Sequence, residues 1–199
     1  QAGDLRIWDT ANWTAAPAIA AHSDALLAIA TSADGKWVAT AGADKLIRLY
    51  SAESATLTAT MEGHTEYVMA LAFGPHSKRL ASAGDDRMIK IWEIASHKQV
   101  SEFSDSKAKS GVQSLIWLED PNHTADAADD GKEDKEPQDW IVAVYADGQP
   151  RLFTQLNEHE GGERSEGAKM KAWPTAAAAL TAVTFDKQAK HVYAGTVSG

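Results

Sequence analysis

Apolar residues along this chain come in short runs broken by turn-forming clusters, a pattern that predicts strands rather than helices. "LLAIAT" (26–31) and "VMALAF" (68–73) are apolar with partial alternation of period two, and the turn chemistry of "SADGK" and "GPHSK" follows them. "WVATAG" (37–42) and "RLASAG" (79–84) predict a second strand. "AD" or "DD" predicts a tight turn, and "KLIRLY" (45–50) or "RMIKIW" (87–92) a third strand. "SATLTATM" (54–61) and "KQVSEF" (98–103) supply a weaker fourth strand on the outside.

The same pattern returns every 42 residues. Trp8, Tyr50 and Trp92 keep this interval, and so do His22 and His64, Thr40 and Ser82, and Asp44 and Asp86. Self-similarity at such a period marks a repeat architecture. The units predicted are a partial one at 1–20, full ones at 21–62 and 63–104, a degenerate one at 105–172 and a partial one at 173–199. In the degenerate unit "VQSLIW" (112–117) opens the sheet and "WIVAVYADGQPRLF" (140–153) continues it. Asp147 precedes Phe153 by the spacing that separates Asp86 from Trp92, while Ala108 holds the histidine position. "LTAVTF" (180–185) and "HVYAG" (191–195) begin the last unit, where Ala176 stands at the histidine position.

Charge changes this picture in one place. Residues 119–139 carry nine acids against Lys132 and Lys135, a net of −7 out of −9 for the 199-residue chain. The segment falls in the first turn of the degenerate unit and reads as a solvated loop. A second polar stretch, 157–171, lies near that unit's outer strand. No basic stripe exists for a phosphate backbone, which argues against nucleic acid. No apolar run is long enough to span a bilayer as a helix. With no cysteine, disulfides, thiolate metal sites and attached haem are excluded, though the compartment is not fixed. The acids of the loop do not follow calcium-loop spacing, and the histidines form no zinc pair, so no metal and no cofactor is expected.

One constellation raises a question of chemistry. His64, Ser82 and Asp86 are the residue types of a hydrolase triad, but no G-x-S-x-G elbow surrounds Ser82. A catalytic set is needed once, whereas here His22, Thr40 and Asp44 repeat it. A polar network that holds each sheet together explains the repetition.

The units resemble WD40 repeats, on "GH" (63–64), "LASAGDD" (80–86) and the terminal "IWD" (7–9) and "IWE" (91–93). Tyr50 and Phe153 depart from the tryptophan of that pattern. The resemblance implies an all-β fold of four-stranded antiparallel propeller blades. It also implies a hydrogen-bonded tetrad of His64, Ser82, Asp86 and Trp92, with His22, Thr40 and Asp44 as its counterpart. It places partners, a protein or peptide, on a rim lined here by Tyr67, Met69 and Asp85, by Ala25, Leu27 and Ala43, and by Gly111, Gln113 and Ala146. Such wedges suit a ring of seven or eight blades better than a closed ring of four, so the chain is expected to be a segment with further blades or flanking domains. The expected function is a non-catalytic interaction scaffold. A degenerate unit after an intact "GHTEYVMALAFGP" is also similar to WD40 regions that some bacteria join to c-type cytochromes or Ser/Thr kinases. Such an activity would lie outside these residues. The hydrolase is the remaining alternative.

Overall fold

The computed structural model describes residues 3–119, 139–154, 169–172, 179–186 and 191–196. The acidic segment expected as a loop lies outside them except at its two ends. So does the polar stretch 157–171 apart from its last residues, and so do Trp173 and Ala176.

Eighteen strands and no helix make up the described residues. The first part holds β1 (Gly3–Leu5), β2 (Trp8–Asp9), β3 (Thr14–Ala15) and β4 (Ile19–His22), paired as β1–β4 and β2–β3. Three four-stranded antiparallel sheets follow, each in sequential order. The first blade is β5 (Leu26–Thr31), β6 (Trp37–Gly42), β7 (Ile47–Ser51) and β8 (Leu57–Met61). The second is β9 (Val68–Phe73), β10 (Arg79–Gly84), β11 (Ile89–Glu93) and β12 (Lys98–Phe103). The third is β13 (Val112–Leu118), β14 (Trp140–Tyr145), β15 (Pro150–Thr154) and β16 (Lys169–Ala172). A two-stranded sheet of β17 (Leu180–Asp186) and β18 (His191–Thr196) ends the described chain.

Local chemistry accounts for the hairpins. In the turn between middle and third strand, one carboxylate oxygen of Asp44, Asp86 or Asp147 accepts the backbone N–H two residues on, from Leu46, Met88 or Gln149, at 3.0–3.2 Å. This Asx turn fixes the reversal. The residue after each Asp is left-handed: Lys45, Arg87 and Gly148 have φ of 67°, 65° and 81°. Only the glycine takes that conformation without a side-chain penalty.

The apolar faces of neighbouring sheets close on each other. Ala39, Ala41, Ile47, Leu49 and Met61 of the first blade pack with Val68, Leu71, Leu80 and Trp92 of the second. Ile89, Ile91 and Phe103 pack with Leu115, Trp117, Ile141 and Phe153 of the third. Innermost strands meet in order, β5 against β9, β9 against β13 and β13 against β17. Among the described residues no ladder joins the β1–β4 pair to the β17–β18 pair.

Candidate functional site

The second blade brings together the residues of the question. His64 Nδ1 donates to Asp86 Oδ2 at 2.7 Å. The Ser82 hydroxyl donates to His64 Nε2 at 2.7 Å, and the Trp92 indole N–H donates to Ser82 Oγ at 2.8 Å. This assignment of protons is the one that uses every donor and acceptor once, so the network selects the tautomer. Asp86 also accepts the Thr65 and Met88 amides. Burial works to raise the Asp86 pKa, but the hydrogen bond from His64 and the two amides outweigh it and hold it below the usual carboxylate range.

A nucleophilic serine needs room for a carbonyl and donors for an oxyanion. Ser82 is fully buried, and the indole of Trp92 is bonded to its oxygen. The order Ser–His–Asp is that of a triad, yet the space in front of the hydroxyl is filled. What this arrangement can do is tie β10 and β11 to the turn and to the segment before β9, with each buried polar atom satisfied by the next.

The first blade repeats the arrangement with different parts. His22 contacts Asp44 through Nδ1 and Thr40 through Nε2, each at 2.8 Å. Arg48 Nη1 donates to Asp44 Oδ2 at 2.8 Å and lies 2.7 Å from His22 Nδ1, whose own proton goes to Asp44. Burial raises the Asp44 pKa, but bonds from His22, Arg48 and the Leu46 amide prevail and bring it down to about 2. Tyr50 replaces the tryptophan. Burial pushes its phenol up, while the Thr40 hydroxyl works the other way.

In the third blade neither histidine nor hydroxyl stands at the equivalent positions. Ala143 stands where Ser82 and Thr40 do, and Ala108 is a buried apolar residue. Arg151, only 1% exposed, takes over. Its Nε donates to Asp105 Oδ2 at 2.5 Å, its Nη2 to Asp147 Oδ2 at 2.8 Å, and its Nη1 to Asp147 Oδ1 at 3.1 Å and the Gln149 carbonyl at 2.9 Å. Its guanidinium lies 3.9 Å over the ring of Tyr145, which occupies the place of Gly42 and Gly84. The bond from Arg151 holds Asp147 below the usual carboxylate range, and burial pushes the Tyr145 phenol well up. Asp105 was missed by position counting because it precedes the histidine place by three residues. Trp8, the terminal tryptophan of the first partial unit, is exposed in the short β2–β3 hairpin rather than bonded within a blade.

Three of the residues expected on a rim share an irregularity. In each blade the pairing of inner and middle strand shifts by one residue, between Leu26 and Ala28, Val68 and Ala70, and Val112 and Ser114. The extra residues of these β-bulges are Leu27, Met69 and Gln113, and a bulge is a means of re-aiming a side chain. Tyr67 is 45% exposed beside them, and Asp85 N–H donates to the Tyr67 carbonyl at 2.9 Å. Leu27 and Asp85 are exposed, while Met69 and Gln113 are half-buried. Among the described residues no three metal-ligating side chains converge, and no helix is long and apolar enough to cross a membrane.

Comparison with known proteins agrees with this geometry. Residues 16–51 and 55–93 match the family model WD40, described as WD domain, G-beta repeat. A chain in the crystal structure of the mitotic checkpoint complex superposes with a TM-score of 0.69 at 20% identity, over 92% of this chain and 49% of that one. At that identity the likeness is one of fold, and this chain spans about half the length of the similar one. Among curated protein sequences there is no match.

Proposed function

This chain carries WD40 repeats on a β-propeller fold, and from that premise we propose that it is a non-catalytic interaction scaffold whose rim binds a protein or peptide. One observation carries the reading. The Ser–His–Asp constellation of the second blade is closed, because the Ser82 hydroxyl is buried between His64 and Trp92. Surface chemistry is left to the rim, where Tyr67, Met69, Asp85, Leu27 and Gln113 stand at bulges and turns. Tyrosine and methionine suit such a role, since both offer large contact area at modest ordering cost.

The test separates frame from rim. Peptides selected on the chain from a random displayed library should lose binding to a Tyr67→Ala/Met69→Ala variant whose melting is unchanged. Ser82→Ala should melt lower and keep binding while folded. Binding that is indifferent to the rim changes, or hydrolysis abolished by Ser82→Ala without a change in melting, overturns the proposal.

A second reading, that these blades belong to a larger ring within a longer protein, is favoured by a difference in cover. Ile29 is 56% exposed, whereas Leu71, 42 residues later at the same place in the repeat, is 8% exposed under the first blade. Tyr193 on β18 is likewise exposed at the other end. Apolar sheet faces left open promote association. The chain alone should therefore self-associate in light scattering, and Ile29→Glu should reduce it. A strictly monomeric chain sinks this second reading.

A further inference from the structure

We infer that the rim between the second and third blades takes a cationic side chain, lysine or arginine, from the bound peptide, held by the ring of Tyr67 and the carboxylate of Asp85. The inference rests on the rim reading above and names the chemistry of its partner.

Asp85 is set apart from its acidic neighbours by what it lacks. Glu66 has Lys45 Nζ at 3.7 Å, and Asp86 has His64. Arg87, two residues on, turns away to the Ala108 carbonyl at 3.4 Å. Among the described residues no cation and no donor meets the Asp85 carboxylate. Partial burial, then Glu66 and Asp86, push its pKa above the usual range, which is the behaviour of a negative charge without compensation. A partner's cation would supply that compensation without breaking an existing bond.

Gly111 bears directly on that carboxylate. This residue occupies in the third blade the place that Tyr67 fills in the second, and a Cβ there would run into Asp85 Oδ1 and come within 2.7 Å of Asp85 Cα. Any larger residue would push the Asp85 side chain aside, so the glycine is what lets the third blade come this close to it. At the other junctions the pair is absent: Ala25 and Ala43 hold these places in the first blade, Gly111 and Ala146 in the third. Aromatic ring and unpaired carboxylate therefore occur together once on the described rim, flanked by the bulge residues Met69 and Gln113.

The chemistry of that combination is selective. A tyrosine ring attracts a cation through its face, and a carboxylate gives a charge-assisted hydrogen bond that guanidinium can make in two-pronged form. An acidic or neutral side chain seated there would leave Asp85 desolvated and unpaired, a penalty that discriminates against it. The net charge of −9 adds attraction at a distance.

A short random-peptide library panned on the full chain tests this, with the recovered peptides measured by fluorescence anisotropy at physiological salt. The expected result is a shared Arg or Lys whose replacement by Gln weakens binding about tenfold. Asp85→Asn should cost part of that factor, with little further loss when combined with the Gln peptide, because the charge that the carboxylate pairs with is then already gone. Tyr67→Ala should cost about tenfold too. Since the Asp85 carboxylate holds no bond and its ionised form opposes folding, Asp85→Asn should fold and melt no lower than the parent. Peptides that need Tyr67 but carry no cation, or ignore Asp85→Asn, overturn the cation inference and leave the rim reading standing. An equal loss in Asp129→Asn/Asp130→Asn overturns it as well, by showing diffuse charge attraction. Peptides indifferent to both Tyr67 and Asp85 overturn the rim reading itself.

Discussion

The second and third blades meet the same requirement with opposite chemistry. Each must join its middle strand, its tight turn and the segment before its inner strand across a buried space. The second blade does it with a chain of single hydrogen bonds, Trp92 to Ser82 to His64 to Asp86. The third does it with one buried guanidinium between Asp105 and Asp147, backed by the face of Tyr145. Losing a link in the first costs one unpaired group at each side. Losing the hub in the second strands two carboxylates in a space that Arg151 had filled. The difference is one of redundancy, and substitutions expose it in a definite order.

Arg151→Met should have the largest effect. It leaves Asp105 buried without its cation, and breaking a buried ion pair from one side typically costs about 3–5 kcal/mol. Denaturant unfolding gives the value, and a loss below about 1 kcal/mol would remove the hub role. Arg151→Met with Asp105→Leu sharpens the comparison. Replacing a whole buried pair with apolar groups of similar size is often close to neutral, so part of the loss should return. Asp147 is left in place because its carboxylate also holds the hairpin turn through Gln149, and only part of the loss returns because Asp105 in turn accepts the Lys107 amide at 2.8 Å.

Ser82→Ala comes next, at about 1–3 kcal/mol, the cost of leaving His64 Nε2 and the Trp92 indole N–H unpaired. Ala143→Ser in the third blade is the matching control. No imidazole stands there to receive the hydroxyl, so the change should not stabilise. If it does, the two blades share more than the hydrogen bonds indicate.

These two substitutions also mark what the sequence makes legible. The 42-residue register singles out His64, Ser82, Asp86 and Trp92, and the same count reaches His22, Thr40 and Asp44, because a repeat fixes positions in space as well as in order. Turn and strand positions were legible for the same reason, each Asx turn needing its Asp and each inner strand its apolar run. The third blade escapes such counting. Ala108 stands at the histidine place, and the residue that matters, Asp105, lies three positions earlier. Arg151 sits in line with Arg48 and Lys90, so nothing in its position distinguishes it. A signal existed in the simultaneous loss of hydroxyl at Ala143 and imidazole at Ala108, with Tyr145 replacing a glycine. Three changes at one joint call for another way to fasten it. The β-bulges that aim Leu27, Met69 and Gln113 were also hidden, since one extra residue in a strand leaves no mark in an apolar run.

Acid provides a graded comparison. Asp44 titrates at about 2 in the folded chain against 3.8 ordinarily, so the unfolded chain binds its proton first. Its stabilisation is therefore present above about pH 4 and is lost as the pH falls towards 2. The Asp86 and Asp147 shifts have the same sign. Asp85 is shifted upward, so its ionised form opposes folding, and lowering the pH through its raised pKa relieves that. Subtracting the stability curve of Asp44→Asn from the parent should give a difference that shrinks in acid. The same subtraction with Asp85→Asn should have the opposite sign. Two curves of one sign would show that the carboxylates do not act separately.

The smallest expected effect lies at the junctions between blades. Lys45 Nζ donates to the Thr65 carbonyl at 2.6 Å and faces Glu66 at 3.7 Å, so the turn of the first blade reaches the second. Arg87 makes a longer reach from the second blade to the third, and Gly148 makes none. Both cations stand in the left-handed conformation, which costs a side chain roughly 1–2 kcal/mol that glycine avoids. Lys45→Ala keeps that backbone cost and loses the contacts, so it should destabilise by about 0.2–1 kcal/mol, the range of exposed pairs. Lys45→Gly loses the contacts but relieves the backbone, and should be close to neutral. High salt then tells which contact matters, because it screens an exposed ion pair and leaves a hydrogen bond to a carbonyl largely in place. If the Ala penalty vanishes in 1 M salt, Glu66 carries the junction. If it persists, the Thr65 carbonyl does.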